Sequence, residues 1–302
     1  MHSSIKFVNL TELCHFDRIA SHNFGGISMP YKYGHYYVGF VLAVVLGGFW
    51  ASYFRIVGAV PFAFHAHAFS ATSWLLLLIL QSAAIHGRHN AFHKLAGLAS
   101  FGLFPLLIAG FVMIINVSAA RYAAEENPFI MLLGPSFGIG MLIAIAAYLT
   151  LFYQALRHRR NIRLHAGYML ATPLILFESP FSRLMDQAFP WMNFIGSEGP
   201  KAVLDTIAIS DGLAILFAMT LYSMDRKHGA PWLVASAFMA TQAIVMWFAP
   251  SIPLLNTLFQ LYASLSPEFM VLIGLGSGIL VGYFGWQHGR GPIKSPAQTS
   301  PV

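Results

Sequence analysis

Apolar stretches of about twenty residues recur along this chain, and they constrain its fold more than any other feature. The hydrocarbon core of a bilayer is about 30 Å thick, so a helix of about twenty apolar residues crosses it. Charged side chains make up only 9% of the 302 residues, against about a quarter in soluble domains. The sequence therefore predicts an all-α, polytopic membrane helical bundle.

We count about eight transmembrane helices, with seven as the lower number. A single transmembrane domain covers residues 35–288, between a cytoplasmic or interfacial N-terminal arm at 1–34 and a disordered C-terminal tail at 289–302. Two prolines make 250–266 a candidate short re-entrant or interfacial helix. Pro173 is expected to kink the fifth span because it removes a backbone hydrogen bond. The predicted spans are 36–56, 61–84, 93–117, 131–156, 165–182, 203–223, 231–249 and 267–287.

Lysine and arginine predict the orientation of the bundle. With eight spans, thirteen of the seventeen basic residues fall on the side that holds both termini, and four fall on the other side. Cytoplasmic loops carry such an excess, so both termini are predicted to be cytoplasmic, in a bacterial inner membrane. The same rule explains the formal charge of +6 without a nucleic-acid partner.

Histidines cluster at both ends of one apolar segment, Phe64 to Gly97. His65 and His67 open the segment, and His86, His89 and His93 follow its end. The segment is long enough to cross a bilayer, so the two groups are predicted to lie near opposite membrane faces. Imidazole ligates transition metals and haem iron, so this pattern points towards metal or haem chemistry.

A haem b site at the cytoplasmic face is the first form of this hypothesis. His93 and His165 begin spans three and five at the same face, so they are predicted to lie at similar depth on different helices. Two such imidazoles can ligate one haem from both sides. Arg88 or Arg163 would then lie near the propionates, and Met169 would line the ring. A non-haem zinc or iron site formed by the same histidines is the alternative.

A polar cavity in the outer half of the membrane is the second candidate site. His67 and Gln81 share one face of span two, whereas the side chains of His65 and His67 diverge by about 200°. Ionisable groups inside a membrane usually face a cavity or a partner. His67 is predicted to act there as a ligand or proton carrier with acidic and basic partners on spans five and six, namely Glu178, Arg183, Asp205 and Asp211.

Glycines recur every fourth residue in the last span, at Gly274, Gly278 and Gly282. Small residues let helices approach closely in lipid, so this face is predicted to pack against another helix or to form a homo-oligomer. A flexible hinge is the alternative.

The chain resembles a family of uncharacterised bacterial multi-pass membrane proteins over roughly residues 60–232. The resemblance rests on a histidine that opens span two and on two groups of residues. Its four-helix core is also similar to that of b-type cytochromes, although it lacks the paired histidines at both faces that the diheme form needs. The family implies an architecture and no assigned activity. The matching residues are Gln81, Arg88, His93 and Gly97, then His165, Met169, Leu170, Arg183, Asp225 and Gly229.

Three functions follow from these observations. The first is a membrane redox or metal protein, an oxidoreductase if it is an enzyme, with haem b or a transition metal as cofactor and a lipid-soluble substrate such as quinone or lipid. The second is a proton-coupled transporter that uses Glu178, Arg183, Asp205 and Asp211. The third is an assembly factor without chemistry of its own.

Overall fold

The computed structural model describes residues 30–290 of the chain, and they are helical throughout, with no β-strand in this range. The predicted N-terminal arm and C-terminal tail therefore lie almost wholly outside the described residues. Within residues 30–290, nine α-helices follow one another: α1 (Gly34–Gly48), α2 (Phe62–His86), α3 (Asn90–Ala123), α4 (Pro128–Arg157), α5 (Ile162–Ala188), α6 (Ala202–Met224), α7 (Ala230–Phe248), α8 (Pro253–Ala263) and α9 (Pro267–His288).

Side-chain caps mark several helix starts. Asn127 accepts a hydrogen bond from the backbone N–H of Ile130 at 2.9 Å, which begins α4, and Asn161 does the same for Leu164 at 3.2 Å, which begins α5. Such caps satisfy backbone donors that the first helical turn leaves without partners. They fix the positions at which the basic turn 158–161 ends and α5 begins.

In the described part of the chain, six helices are long and apolar enough to span a membrane, namely α2, α3, α4, α6, α7 and α9. Helix α1 is apolar but has only 15 residues. Helix α5 has 27 residues and continues through Pro173, yet its composition is too polar for it to qualify alone. The fold gives the reason, because α5 packs against α1, α4, α6 and α7 and is shielded from the surroundings. A helix in that position needs no apolar outer face.

The short turns between helices bring like ends together. We call the end formed by the turns 87–89, 158–161 and 225–229 the histidine end. The end that holds 124–127, 189–201 and 249–266 is the opposite end. Ten of the fourteen lysines and arginines in residues 30–290 lie at the histidine end. The charge asymmetry that the sequence predicts is thus a property of the folded bundle.

Helix α8 occupies the predicted short segment 250–266. It packs against the C-terminal part of α3, at the opposite end of the bundle. The Tyr262 hydroxyl donates to Asn116 Oδ1 at 2.6 Å, and the ring of Phe259 lies 5.3 Å from that of Tyr122. Helix α8 is amphipathic and buries only Phe259 fully. Its eleven residues are too few to cross a bilayer.

A hydrogen-bonded network joins three helices at the centre of the bundle. The indole of Trp74 on α2 donates to the Thr172 hydroxyl on α5 at 2.9 Å, and the Tyr148 hydroxyl on α4 donates to the backbone carbonyl of Thr172 at 2.9 Å. Trp74, Tyr148 and Thr172 are fully buried. The network fixes α2 and α4 against α5.

The glycine face of α9 packs within the chain. A Cβ at Gly278 would lie 2.7 Å from Pro105 Cα on α3, and one at Gly274 would lie 2.9 Å from the Val112 side chain. At Gly282 a Cβ would lie 3.3 Å from the ring of Phe101. The packing of this face on another helix is therefore seen with α3 of the same chain, and a homo-oligomer through this face stays a prediction.

Candidate functional site

Two buried carboxyl groups lie where α5, α6 and α7 meet. Glu178 on α5 is only 7% exposed, and its Oε2 accepts a hydrogen bond from Gln242 Nε2 on α7 at 3.1 Å. Asp211 on α6 is 1% exposed and lies close enough to Glu178 for the two charges to interact. We call Glu178, Asp211, Gln242 and Arg183 the acid cluster. It lies about two to three helical turns inside the opposite end.

Arg183 is the cation of this cluster, one turn beyond Glu178 on α5. Its Nη1 donates to the Ser179 backbone carbonyl at 2.8 Å and to the Ser179 hydroxyl at 2.7 Å. Its guanidinium also lies 5.0 Å from the centre of the Phe49 ring. The charge of Arg183 reaches Glu178, but no ion pair joins it to a carboxylate in the described part of the chain. Its donors are directed at α5 itself.

Asp211 has no hydrogen-bond partner on either carboxylate oxygen among the residues that the structure describes. Burying a polar group without a partner costs several kilocalories per mole, and more if it is charged. The cluster therefore holds two buried carboxyl groups for one guanidinium, and one of the two has no donor at all. An external cation or a proton would balance this arrangement.

Three residues that the sequence assigned to the outer cavity lie elsewhere, and one of them, Gln81, is near the histidine end of α2, where its backbone carbonyl interacts with His93. Asp205, in the first turn of α6, accepts a hydrogen bond from the backbone N–H of Ser197 at 2.7 Å and holds the connection between α5 and α6. The ring of His67 packs against Phe111 on α3 at 4.5 Å. Its Nδ1 is buried without a partner within residues 30–290. The structure thus places Glu178, Arg183 and Asp211 together without His67 or Asp205.

Gln242 was not found from the sequence, although a signal exists. It is the only residue with a carboxamide side chain in helix α7, where the other polar side chains are the hydroxyls of Ser236 and Thr241. Polar side chains of this kind in membrane helices commonly hydrogen-bond across to a neighbouring helix. Attention to this one residue would have pointed to a partner on α5 or α6.

His93 and His165 do lie near one another at the histidine end. The His165 ring is within range of the charges of His93 and Arg159, and its Nδ1 is hydrogen-bonded to the Ala155 backbone carbonyl on α4 at 2.9 Å. His93 interacts with the backbone carbonyl of Gln81 on α2. Each histidine thus sits on the first or second turn of its helix and faces a carbonyl of the helix before it. The hairpins α2–α3 and α4–α5 repeat one arrangement.

This arrangement leaves one nitrogen available on each ring. The carbonyl contact of His165 Nδ1 makes that nitrogen the proton donor, so Nε2 carries the lone pair, as in many metal-bound histidines. His93 Nδ1 is buried and has no partner within residues 30–290. Buried oxygens of Gln81 and Gln154 near the same end also lack partners there. The donor types fit haem iron.

The remaining predicted ligands are dispersed. Nδ1 of His86 is bound to the Ser82 carbonyl at 2.7 Å, and His65 Nδ1 is bound to the Tyr53 hydroxyl at 2.8 Å. His89 is exposed at the start of α3. No group of three or more histidine, cysteine, aspartate or glutamate residues in the described range is arranged to hold a metal.

The residues predicted to surround a haem have other contacts. Arg88 is exposed in the α2–α3 turn, with a left-handed φ of 61°. Arg163 pairs with Asp225 at 3.0 Å. Met169 packs against the main core, and its carbonyl accepts from the Thr172 hydroxyl at 2.8 Å. Met169 lies about one turn along α5 from His165.

The carboxylate of Asp225 lies in the turn between α6 and α7, outside the membrane helices. Partial burial acts to raise the pKa of Asp225, but hydrogen bonds from His228 and Arg163 outweigh it and lower the pKa below its usual value. His228 Nδ1 lies 3.0 Å from Asp225 Oδ2. The pair Arg163–Asp225 thereby ties the start of α5 to the end of α6.

Comparison of the chain with known protein families, with curated proteins and with solved structures finds no match in any of the three. The resemblance to an uncharacterised bacterial family and to b-type cytochromes stays a prediction. Functional conclusions therefore rest on the geometry of the acid cluster and of the histidine end.

Proposed function

We propose that this protein is a proton-coupled membrane transporter in which Glu178 and Asp211 take up and release the proton. The observation that carries the proposal is the buried carboxylate of Asp211. Among the described residues it has no hydrogen-bond donor, and it lies beside a second buried carboxylate, that of Glu178. Ionisable groups placed inside a membrane bundle are costly and are retained for ion or proton pathways. Glu178 and Asp211 lie on neighbouring helices, so movement of α6 against α5 would change their separation.

Arg183 sets the charge of the site. With one guanidinium and two carboxylates, the cluster is neutral when the carboxyl pair holds one proton and carries one negative charge when that proton leaves. Charges a few ångströms apart interact strongly where water is excluded. A gated change in the position of Arg183, whose bonds to Ser179 lie within α5, would therefore favour proton release or uptake.

The proposed topology has eight spans, with α1 and α5 crossing the membrane beside the six apolar helices. Both termini and the histidine end would be cytoplasmic, because that end carries most of the lysines and arginines. We place the protein in a bacterial inner membrane. Helix α8 would then lie at the periplasmic face.

Proton entry into liposomes tests the proposal. Purified protein is reconstituted with a pH-sensitive dye inside, and an interior-negative potassium diffusion potential is imposed. Wild-type vesicles should acidify faster than empty ones, and the Glu178→Gln and Asp211→Asn variants should lose that difference. Asp186→Asn is the matched control, because Asp186 is an exposed carboxylate on the same helix. Wild-type rates equal to those of empty vesicles would contradict a proton pathway.

A redox function at the histidine end is the second candidate. The specific observation in its favour is the repeated arrangement of His93 and His165. Each faces a backbone carbonyl, Nδ1 of His93 is buried without a partner within residues 30–290, and Nε2 of His165 carries the lone pair. These two residues would hold a b-type haem, which when bound would supply one-electron transfer. The protein's own contribution would be the orientation of both rings by Gln81 and Ala155.

The absorption spectrum of the purified protein tests this second candidate. A sharp band in the reduced-minus-oxidised spectrum is expected, with loss of the band in His93→Ala and in His165→Ala. His89→Ala serves as control, since His89 is exposed at the same end. A spectrum without such a band, from protein expressed with a haem supply, would leave the transporter as the only proposed function.

A further inference from the structure

An apolar pocket opens between α1, α5 and α6, immediately beside the acid cluster. Its volume is about 200 Å³, and its walls include Tyr37, Phe40, Phe177 and Phe217. The rings of Tyr37 and Phe217 stack at 5.2 Å, and those of Phe40 and Phe177 lie 6.4 Å apart. Pockets for drug-sized ligands start near 300 Å³. This one is of a size for a single substituted ring.

The pocket faces the membrane. Phe40 is 58% exposed and Phe217 is 39% exposed on the surface of the bundle. Both lie in the middle region of helices that we propose to cross the bilayer, so a ligand would enter laterally from the lipid and not from water. Such a ligand must itself dissolve in the membrane.

One polar side chain lines this pocket, and it has no partner. The Tyr37 hydroxyl is buried without a hydrogen-bond partner in the described part of the chain. The other wall residues, which include Val41, Leu174 and Ala214, have only apolar side chains. A buried hydroxyl left unpaired is costly, so a ligand oxygen that accepts a hydrogen bond from it would be stabilised. A hydrocarbon chain would leave the hydroxyl unpaired.

The acid cluster lies one helical turn from the pocket on two helices. Leu174 precedes Glu178 by four residues on α5, and Asp211 precedes Ala214 by three residues on α6. Residues at these spacings lie on the same helix face. Both carboxylates therefore lie about one helical turn from the walls of the pocket, on the side nearer the opposite end of the bundle.

We propose that this pocket binds the ring of a lipid-soluble quinone, with the Tyr37 hydroxyl donating a hydrogen bond to a ring carbonyl oxygen. The aromatic walls suit a flat ring, the single hydroxyl suits its carbonyl, and the lateral opening leaves room for the isoprenoid tail in the lipid. The inference rests on the proposed function only in that the quinone would be the transporter's lipid-soluble ligand; binding itself requires no proton transfer.

Photolabelling with a short-chain azido-ubiquinone tests the proposal on the full chain in nanodiscs. Labelled peptides should come from α1, α5 and α6, and decylubiquinone should compete. Tyr37→Phe keeps the shape of the wall and should weaken competition about fivefold, the effect of about one hydrogen bond. Tyr36→Phe is the matched control, because the neighbouring Tyr36 is 68% exposed. Ala214→Phe, which fills the pocket, should abolish the specific label.

Three outcomes would overturn the proposal. They are labelling outside these helices, equal competition in the Tyr37→Phe and wild-type proteins, and equal competition by decanoic acid, which would identify a slot for lipid acyl chains. The same samples carry the proton-entry assay. If decylubiquinone does not compete in the wild-type protein but proton entry is observed, the pocket alone is refuted. If decylubiquinone competes but no proton entry is observed, the proton site alone is refuted.

Discussion

Replacing Gly278 by alanine should weaken the packing of α9 on α3. A Cβ at this position would lie 2.7 Å from Pro105 Cα, whereas ordinary contacts begin near 3.4 Å, so the helices must separate locally by about 0.7 Å (3.4 − 2.7). The atom in the way belongs to the backbone, so no side-chain rotation can relieve the clash. Overpacking of this kind typically costs about 1–3 kcal/mol.

Gly276 provides the matched control on the same helix. A Cβ there would meet nothing within 4 Å. Alanine has a higher helix propensity than glycine by about 0.8–1.0 kcal/mol, and both variants share that gain. The difference between Gly278→Ala and Gly276→Ala therefore isolates the packing term of about 1–3 kcal/mol. Gly274→Ala should fall between them, because its nearest neighbour is the side chain of Val112, which can move.

Equilibrium unfolding in mixed micelles, with increasing sodium dodecyl sulfate, gives the free energy of unfolding for each variant. The order of stability should be Gly276→Ala, then Gly274→Ala, then Gly278→Ala. Equal stability of the variants at positions 276 and 278 would refute close packing of α9 on α3. A change in oligomer size without a change in monomer stability would instead favour a dimer face.

Two further predictions concern polar contacts. Trp74→Phe removes the indole donor to Thr172. Loss of this hydrogen bond should lower the free energy of unfolding by about 0.6 kcal/mol, and by at most about 1.7 kcal/mol, in the same unfolding assay with sodium dodecyl sulfate. Asp225→Asn should lower thermal stability at pH 7. Because the pKa of Asp225 is depressed, its contribution is fully present above its ordinary pKa of about 4 and is lost as the pH falls further through the lowered pKa, so the melting temperatures of the variant and the wild type should converge below about pH 4.

Helix positions followed closely from the sequence. Predicted spans such as 131–156 and 267–287 differ from α4 and α9 by at most three residues at either end, because long apolar runs and proline-marked starts are strong local signals. Three spans were less accurate. The predicted third and fifth spans end six residues before α3 and α5 do, and the first is too long, since α1 ends at Gly48 and a 3₁₀ turn, Phe54–Ala59, follows. The glycines and aromatic residues at 47–54 carry no local signal that separates a helix from a turn.

The sites were harder to predict than the helices. Glu178, Arg183 and Asp211 lie near one another in the structure, and the sequence could place them at similar depth because depth can be estimated from position along a span. Which face each residue presents to a neighbour depends on helix rotation and packing, which depth does not determine. For that reason the sequence added Asp205 and His67, which are engaged with Ser197 and Phe111, and it missed Gln242.

Helix α5 unites the fold and the proposed functions. It is the long helix that is too polar to qualify as a span by composition, and it carries His165, Thr172, Glu178 and Arg183. A charged residue at the centre of a membrane helix costs about 2.5–3.5 kcal/mol on insertion scales, so α5 alone would insert poorly. Its neighbours α1, α4, α6 and α7 remove that cost by surrounding it, and the same enclosure gives buried carboxylates the water-excluded setting that a gated proton site requires.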